Sequence, residues 1–186
     1  MKTRWMRWIA LAVAVAALSL PLTAGAEPLN GRGPGGGGRS RQAGGMGMGY
    51  YATAATPLDA AEKDALEQAV LEEYGALNLY RAVLEQYEGA FPFNRIARSE
   101  QQHVNVLLRA ADRYGVDAPE NPGLSPAPVF ATLEDACAAG VKAEIADAAL
   151  YDELLKVTDN PDLIRVYENL QAASLNNHLP AFEACD

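Results

Sequence analysis

The stretch "SEQQHVNVL" at residues 99–107 places a glutamate and a histidine three positions apart, Glu100 and His103. Residues at this spacing lie on the same side of an α-helix, about one turn from each other. Histidine is scarce in the chain, because the second and last one is His178, in "SLNNHLPAF" at residues 174–182. The interpretation of the sequence therefore depends on whether the two histidines belong to one site.

The sequence around these histidines predicts four helices and no strand. From Thr56 onward, apolar residues recur at helical spacing. Asp59 followed by Glu62 resembles a capping box, Asn94 is a natural N-cap for the second helix, and Asn160 with the proline after it predicts the start of the fourth. The first three predicted helices cover about residues 59–88, 94–115 and 132–158. The fourth begins at Asn160, is disturbed by Pro180 near its end and ends at Cys185. Four such helices predict an all-α fold, an antiparallel four-helix bundle.

The first and third helices carry the same pattern. Glu73 is followed seven residues later by Tyr80, and Glu144 is followed seven residues later by Tyr151. Seven residues are nearly two helical turns, so each pair lies on one helix face. Each glutamate is also followed by a histidine on the next helix, 30 and 34 residues on. The domain therefore consists of two related helical hairpins, each with a glutamate on its first helix and a histidine on its second.

This combination is typical of a metal site. Two metal ions inside a bundle need carboxylates to hold and bridge them and one imidazole each. A buried carboxylate cluster without a cation would be very unfavourable, because like charges repel strongly at low dielectric. Simpler interpretations stay open: a Glu-x-x-His pair also occurs on solvated helices, and His178 could be a core histidine with satisfied hydrogen bonds. The two tyrosines could likewise be ordinary core aromatics.

Several segments resemble the ferritin-like superfamily, especially its rubrerythrin-type di-iron carboxylate proteins. They are "LEEYGALNLY" at 71–80, "FNRIARSEQQH" at 93–103, "TDNPDLIRVYENL" at 158–170 and "NNHLPAF" at 176–182. More closely, they are similar to a prokaryotic domain-of-unknown-function family classed as ferritin-like. The resemblance covers residues 58–185.

The resemblance implies a ligand set and a metal. It implies that Glu73 and Glu144 are terminal carboxylates and that Glu100 is a bridging carboxylate. It implies that His103 and His178 are the two imidazole ligands and that Asp147 is an extra, mobile carboxylate. Tyr80 and Tyr151 would be hydrogen-bonding partners of these ligands. The implied metal is iron, with zinc or manganese as alternatives. The implied reaction is oxidation of Fe(II) by dioxygen or peroxide.

One position departs from the family pattern. The fourth helix should read Glu-x-x-His, but Leu175 stands three residues before His178. The second bridging carboxylate is therefore missing, which leaves a single-metal site open beside a di-iron site. It also leaves open whether the chain is an enzyme. The alternative function is a non-catalytic metal-binding or interaction module of the cell envelope with a degenerate site.

The two cysteines, Cys137 and Cys185, lie at the start of the third helix and the end of the fourth. Antiparallel helices bring these two ends together, so a disulfide between them is geometrically reasonable. Two free buried thiols are the alternative.

The amino-terminal residues predict export. Residues 1–26 read as a secretory signal peptide, with Lys2, Arg4 and Arg7 before an apolar stretch and small residues leading to cleavage after Ala26. A retained membrane anchor is less consistent with so short an apolar stretch. Export would place the protein in the periplasm or outside the cell, with no membrane span after cleavage.

Composition divides the remainder into a linker and a domain. Residues 27–56 are predicted to form a flexible linker rich in glycine and arginine. Residues 57–186 are predicted to form the domain, which the resemblance implies is ferritin-like. From Pro57 onward there are 9 Lys and Arg against 23 Asp and Glu, a net charge of −14. This acidic excess argues against nucleic acid as a partner and suits metal ions. The sequence also leaves open whether the protein forms a homodimer.

Overall fold

The computed structural model describes residues 56–185, so the predicted signal peptide and almost all of the predicted linker lie outside it. The described residues form four helices and no strand, which confirms the predicted all-α class. Within this part of the chain, no helix is both long and apolar enough to span a bilayer. The helices are α1 (Ala60–Gln86), α2 (Phe93–Tyr114), α3 (Leu133–Lys156) and a fourth made of α4 (Pro161–Ala173), a π-helical segment (Ser174–His178) and α5 (Leu179–Glu183).

The third helix begins at Leu133, capped by the Thr132 side chain. Of the three caps predicted at Asp59, Asn94 and Asn160, two are present and one is wrong. The Asp59 carboxylate accepts the Glu62 N–H at 2.9 Å, and the Glu62 carboxylate accepts the Asp59 N–H at 3.1 Å, which completes a capping box. The Asn160 side chain caps α4. The predicted cap at Asn94 is wrong because its own N–H already bonds to the Ala90 carbonyl, so a helical turn has begun before it.

Side-chain contacts define the direction of each helix. Tyr80 of α1 contacts Glu144 of α3, whereas Glu73, two turns earlier, contacts Tyr151, two turns later. Helices α1 and α3 are therefore antiparallel. By the same reasoning α1 is antiparallel to α2, and the fourth helix is antiparallel to both α2 and α3.

It follows that α2 and α3 run parallel, and the connection between them must travel the length of the bundle. Tyr114, at the end of α2, bonds to Asn160 at the start of α4. Phe130, just before α3, bonds through its N–H to the Gln86 side chain at the opposite end. A bundle with one long crossover of this kind is consistent with a ferritin-like fold.

The interior consists of two hydrophobic clusters with a polar layer between them. The first cluster lies around Leu66, Leu107 and Tyr151, and the second lies around Tyr80, Phe93 and Phe182. In the second cluster the three aromatic rings pack with centroids 4.9–5.8 Å apart. The two tyrosines thus have their rings in separate clusters and extend their hydroxyl groups into the layer between.

A disulfide joins α3 to the end of the fourth helix. Cys137, in the first turns of α3, is bonded to Cys185, just beyond α5, and their Cα atoms are 5.9 Å apart. Near this bond, Phe182 packs directly over Gly140 of α3, where an added Cβ atom would lie only 2.6 Å from the ring. The end of the fourth helix is therefore held against α3 by a covalent bond and by close packing.

Candidate metal centre

Five predicted ligands from all four helices meet in the polar layer. They are Glu73 from α1, Glu100 and His103 from α2, Glu144 from α3 and His178 from the π-helical segment. All five are buried, none more than 8% exposed. Charged side chains are rarely buried to this extent unless they are paired or bind a metal.

The five residues form two groups of three that share one member. Glu73, Glu100 and His103 form the first group, and Glu100, Glu144 and His178 form the second. In each group the three candidate ligand atoms lie within 4.8 Å of one another. Glu100 is the shared residue, so the arrangement consists of two half-sites joined by one carboxylate.

The two oxygens of Glu100 face different histidines. Its Oε2 lies 2.9 Å from Nδ1 of His103, and its Oε1 lies 2.9 Å from Nδ1 of His178. The outer carboxylates complete the half-sites: Glu73 Oε2 is 3.2 Å from Nδ1 of His103, and Glu144 Oε2 is 3.3 Å from Nδ1 of His178. Both imidazoles therefore direct the same ring nitrogen toward carboxylate oxygens.

Each tyrosine holds the glutamate of the other helix. The Tyr80 hydroxyl of α1 donates to Glu144 Oε1 of α3 at 2.5 Å, and the Tyr151 hydroxyl of α3 donates to Glu73 Oε1 of α1 at 2.6 Å. One oxygen of each outer glutamate is thus fixed by a tyrosine, while the other faces a histidine. Such hydrogen bonds orient carboxylate ligands and restrict how they rotate.

The pKa shifts reflect strong coupling of opposite charges. Burial alone would lower the pKa of His103, but the carboxylates of Glu100 and Glu73 raise it to about 10. Burial would likewise lower the pKa of His178, but Glu100 and Glu144 raise it to about 9. Burial raises the pKa of Glu73, whereas in Glu100 the contacts with both histidines outweigh burial and lower the pKa below its ordinary range. The layer therefore favours positive charge next to its carboxylates.

The donor atoms fit a metal ion. Nδ1 of His178 is buried and makes no hydrogen bond within residues 56–185, although two carboxylate oxygens lie near it. A nitrogen in this position is available to a cation between it and the oxygens. Glutamate oxygen and imidazole nitrogen are ligands suited to iron, zinc and manganese. The buried groups could therefore hold a metal ion, whose identity the ligand types alone do not specify.

Asp147 lies beside the two half-sites rather than in either of them. Its Oδ2 accepts a hydrogen bond of 2.5 Å from the Ser174 hydroxyl, and its Oδ1 is buried with no hydrogen bond among the described residues. Burial raises the pKa of Asp147 well above its ordinary value, and the charge of Glu100 adds to the effect. Asp147 is thus an additional buried carboxylate with one free oxygen.

The π-helical segment explains the departure at Leu175. A π turn contains more residues than an α turn, which changes the helix face that a given position occupies. Leu175 is 43% exposed, while Ser174 is buried and points toward Asp147. The residue that faces the site one turn before His178 is therefore Ser174. On this side of the site the carboxylate is that of Asp147 on α3, which accepts a hydrogen bond from Ser174 of the fourth helix.

Sequence reasoning missed two residues at this site. The Ser99 hydroxyl lies 3.0 Å from Nε2 of His178 and 3.3 Å from Nε2 of His103, and it could have been noticed because it precedes His103 by one helical turn. Glu72 on α1 is half-buried, and burial together with the charges of Glu100 and Glu144 raises its pKa. No feature of the sequence distinguishes Glu72 from the solvated acidic residues of the same helix.

Comparisons with known proteins support the fold and give no activity. No family model matches the sequence. The chain is 29% identical over 141 residues to the uncharacterized protein MJ0754 of Methanocaldococcus jannaschii, an alignment that covers 68% of this chain and 75% of the relative. The crystal structure of the hypothetical protein MJ0754 from Methanococcus jannaschii matches with a TM-score of 0.62 at 26% identity, over 70% of this chain and 82% of that one.

Proposed function

We propose that the chain is an exported, ferritin-like metal-binding protein that holds two metal ions in the half-sites joined by Glu100. The observation that carries the proposal is the position of the two Glu100 oxygens, each 2.9 Å from a different imidazole. A bundle core that collects carboxylates and histidines from facing helices is a known way of building a two-metal site. The proposed metal is iron, and the proposed reaction is oxidation of Fe(II) by dioxygen or peroxide.

The proposed roles of the residues follow from their contacts. Glu100 would bridge the half-sites, and Glu73 and Glu144 would each offer one oxygen, because a tyrosine holds the other. His103 and His178 would bind through Nδ1. Iron at this site would supply the electrons that reduce the oxidant.

Access to the site would come from one side of the bundle. The two hydrophobic clusters exclude water from the polar layer along the bundle axis. A surface groove of about 380 Å³, lined in part by Ser99, Asn177 and His178, reaches the layer from outside. Metal ions and a small oxidant would enter by this groove.

Non-catalytic metal binding is the second candidate function. It is favoured by Ser174, which stands where the fourth helix would need a second bridging carboxylate. With one bridge fewer, the site could hold a single redox-inert ion such as zinc.

Metal loading followed by an oxygen measurement separates these functions. The purified full chain is stripped of metal, loaded with Fe(II) without oxygen, analysed for iron and then exposed to dioxygen in an oxygen electrode. Two irons per chain with oxygen consumption would support the oxidase. Metal binding with no oxygen consumption would support the binder, and a chain that binds neither iron nor zinc would contradict both.

The proposed export has a separate test. The features that support it are the basic residues, apolar stretch and small residues of the predicted signal peptide at 1–26. Mass spectrometry of the protein from fractionated cells should find a chain that begins at Glu27, outside the cytoplasm. A full-length chain in the cytoplasm would contradict export and leave the proposed metal site unaffected.

A further inference from the structure

Ser99 occupies a position between the two histidines on the side away from the carboxylates. The imidazole rings of His103 and His178 are stacked, with centroids 5.4 Å apart and planes 21° from parallel. Their Nδ1 atoms face Glu100, and their Nε2 atoms both lie within 3.3 Å of the single Ser99 hydroxyl oxygen. One side chain therefore contacts both imidazoles, although they belong to different helices.

The chemistry of metal-bound imidazole defines the direction of these hydrogen bonds. An imidazole that binds a metal through Nδ1 carries its hydrogen on Nε2, which is then a donor. A serine hydroxyl oxygen has two lone pairs, so it can accept from two donors at once. Ser99 is thus suited to accept both N–H groups, while its own proton is bonded to neither ring.

We propose that Ser99 is a shared positioning residue, which holds both imidazoles with Nδ1 toward the carboxylates and so couples the geometry of the two half-sites. This inference rests on the proposed metal site and adds a residue to it. Mutation of an outer residue that is hydrogen-bonded to a metal-ligating histidine typically lowers the metal affinity about 10- to 100-fold. Because one hydroxyl serves both rings, its loss should weaken both half-sites together.

The test compares two substitutions of the same shape. Ser99→Thr keeps the hydroxyl oxygen, whereas Ser99→Val replaces it by a methyl group and excludes a substituting water from the neighbouring groove. Zn(II) affinity of the full chain is measured by competition with a chelator, and the side-chain nitrogen NMR spectrum of ¹⁵N-histidine reports which ring nitrogen carries hydrogen. Gln102→Ala, at an exposed position of α2, is the control for changes in the helix itself.

The wild-type chain and Ser99→Thr should each bind two zinc ions, and the affinities of the two chains should be similar. In both chains, both histidines should carry hydrogen on Nε2. In Ser99→Val, both ions should bind about 10- to 100-fold more weakly, as expected for a lost outer hydrogen bond. Equal affinities and spectra for the threonine and valine variants, or weakening at one half-site alone, would overturn the role of Ser99. A wild-type chain that binds no zinc or iron would instead contradict the metal site itself. If the valine variant does not fold, Ser99→Ala provides the same comparison, with a smaller expected loss because water from the groove can enter.

Discussion

Removing the Tyr151 hydroxyl tests the hydrogen bonds that hold the outer glutamates. In Tyr151→Phe, Glu73 loses the donor at 2.6 Å from its Oε1, in a place where Tyr151 is 0% exposed and Glu73 is 1% exposed. Removing a hydrogen-bond partner so that a buried acceptor is left unsatisfied costs about 1–3 kcal/mol, because the buried oxygen cannot turn to water instead. We therefore expect Tyr151→Phe to lower the free energy of unfolding by about 1–3 kcal/mol.

Tyr167 supplies a matched control. Its ring is also fully buried and packs against Tyr151 with centroids 5.7 Å apart, but its hydroxyl is buried with no hydrogen bond among the described residues. Tyr167→Phe should therefore leave the stability unchanged or increase it by about 1 kcal/mol, because an unsatisfied buried hydroxyl is unfavourable. Urea unfolding of the metal-stripped full chain at pH 7 measures both variants. Equal losses of stability in the two variants would refute the assignment of the Tyr151 hydrogen bond.

Three further predictions concern pH, the disulfide and close packing. The pKa values of both site histidines are raised above 6.5, so the stability that they contribute is complete below about pH 6.5 and is lost as the pH rises through 9 to 10. The free energy of unfolding of the metal-stripped chain should therefore fall over that range. Replacing both histidines by glutamine should reduce this dependence on pH, as measured in a pH series of unfolding curves. Reduction of the Cys137–Cys185 disulfide should lower stability by about 2–4 kcal/mol in thermal unfolding with and without reductant, whereas the double alanine variant should not respond to reductant. Gly140→Ala should destabilise the protein by about 1–3 kcal/mol through contact with the Phe182 ring. Gly75→Ala, at a position on α1 with open space around it, should stabilise the protein by about 0.5–1 kcal/mol. Urea unfolding in which both variants change the stability in the same direction would contradict the packing described.

The ligands could be found in the sequence because they obey local periodicity. Glu100 and His103 are three residues apart on one helix, and this spacing alone puts them on one face. The repeated interval from glutamate to tyrosine likewise indicates two faces of similar composition. Such patterns depend only on helix geometry, which is the same in any context.

The pairing of tyrosines with glutamates could not be obtained in this way. Tyr80 bonds to Glu144 rather than to a residue of its own helix, and this depends on how far α1 and α3 are offset along the bundle axis. That offset results from packing of the two hydrophobic clusters. The spacing of residues within one helix contains no information about it.

The π-helical segment was also beyond sequence reasoning. The spacing of residues in the sequence puts Leu175 at the position of the missing bridging glutamate. In the structure Leu175 is exposed, and Ser174 faces inward instead. The N–H of Leu179 bonds to the Ser174 carbonyl, five residues back, while the next residue, Pro180, has no N–H to donate. The wider turn is compatible with the packing of Phe182 on Gly140, a tertiary contact 42 positions distant along the chain.

A count of bound metal ions in three chains tests whether one carboxylate, that of Glu100, joins two metal half-sites. Zinc bound per folded chain would be measured by titration calorimetry and elemental analysis in the wild type, in Glu100→Gln and in Glu73→Gln. We expect two ions in the wild type, weakening of both in Glu100→Gln, and weakening of one in Glu73→Gln, because Glu100 faces both histidines and Glu73 faces one. A Glu100→Gln chain that retains one ion at wild-type affinity would contradict the shared carboxylate.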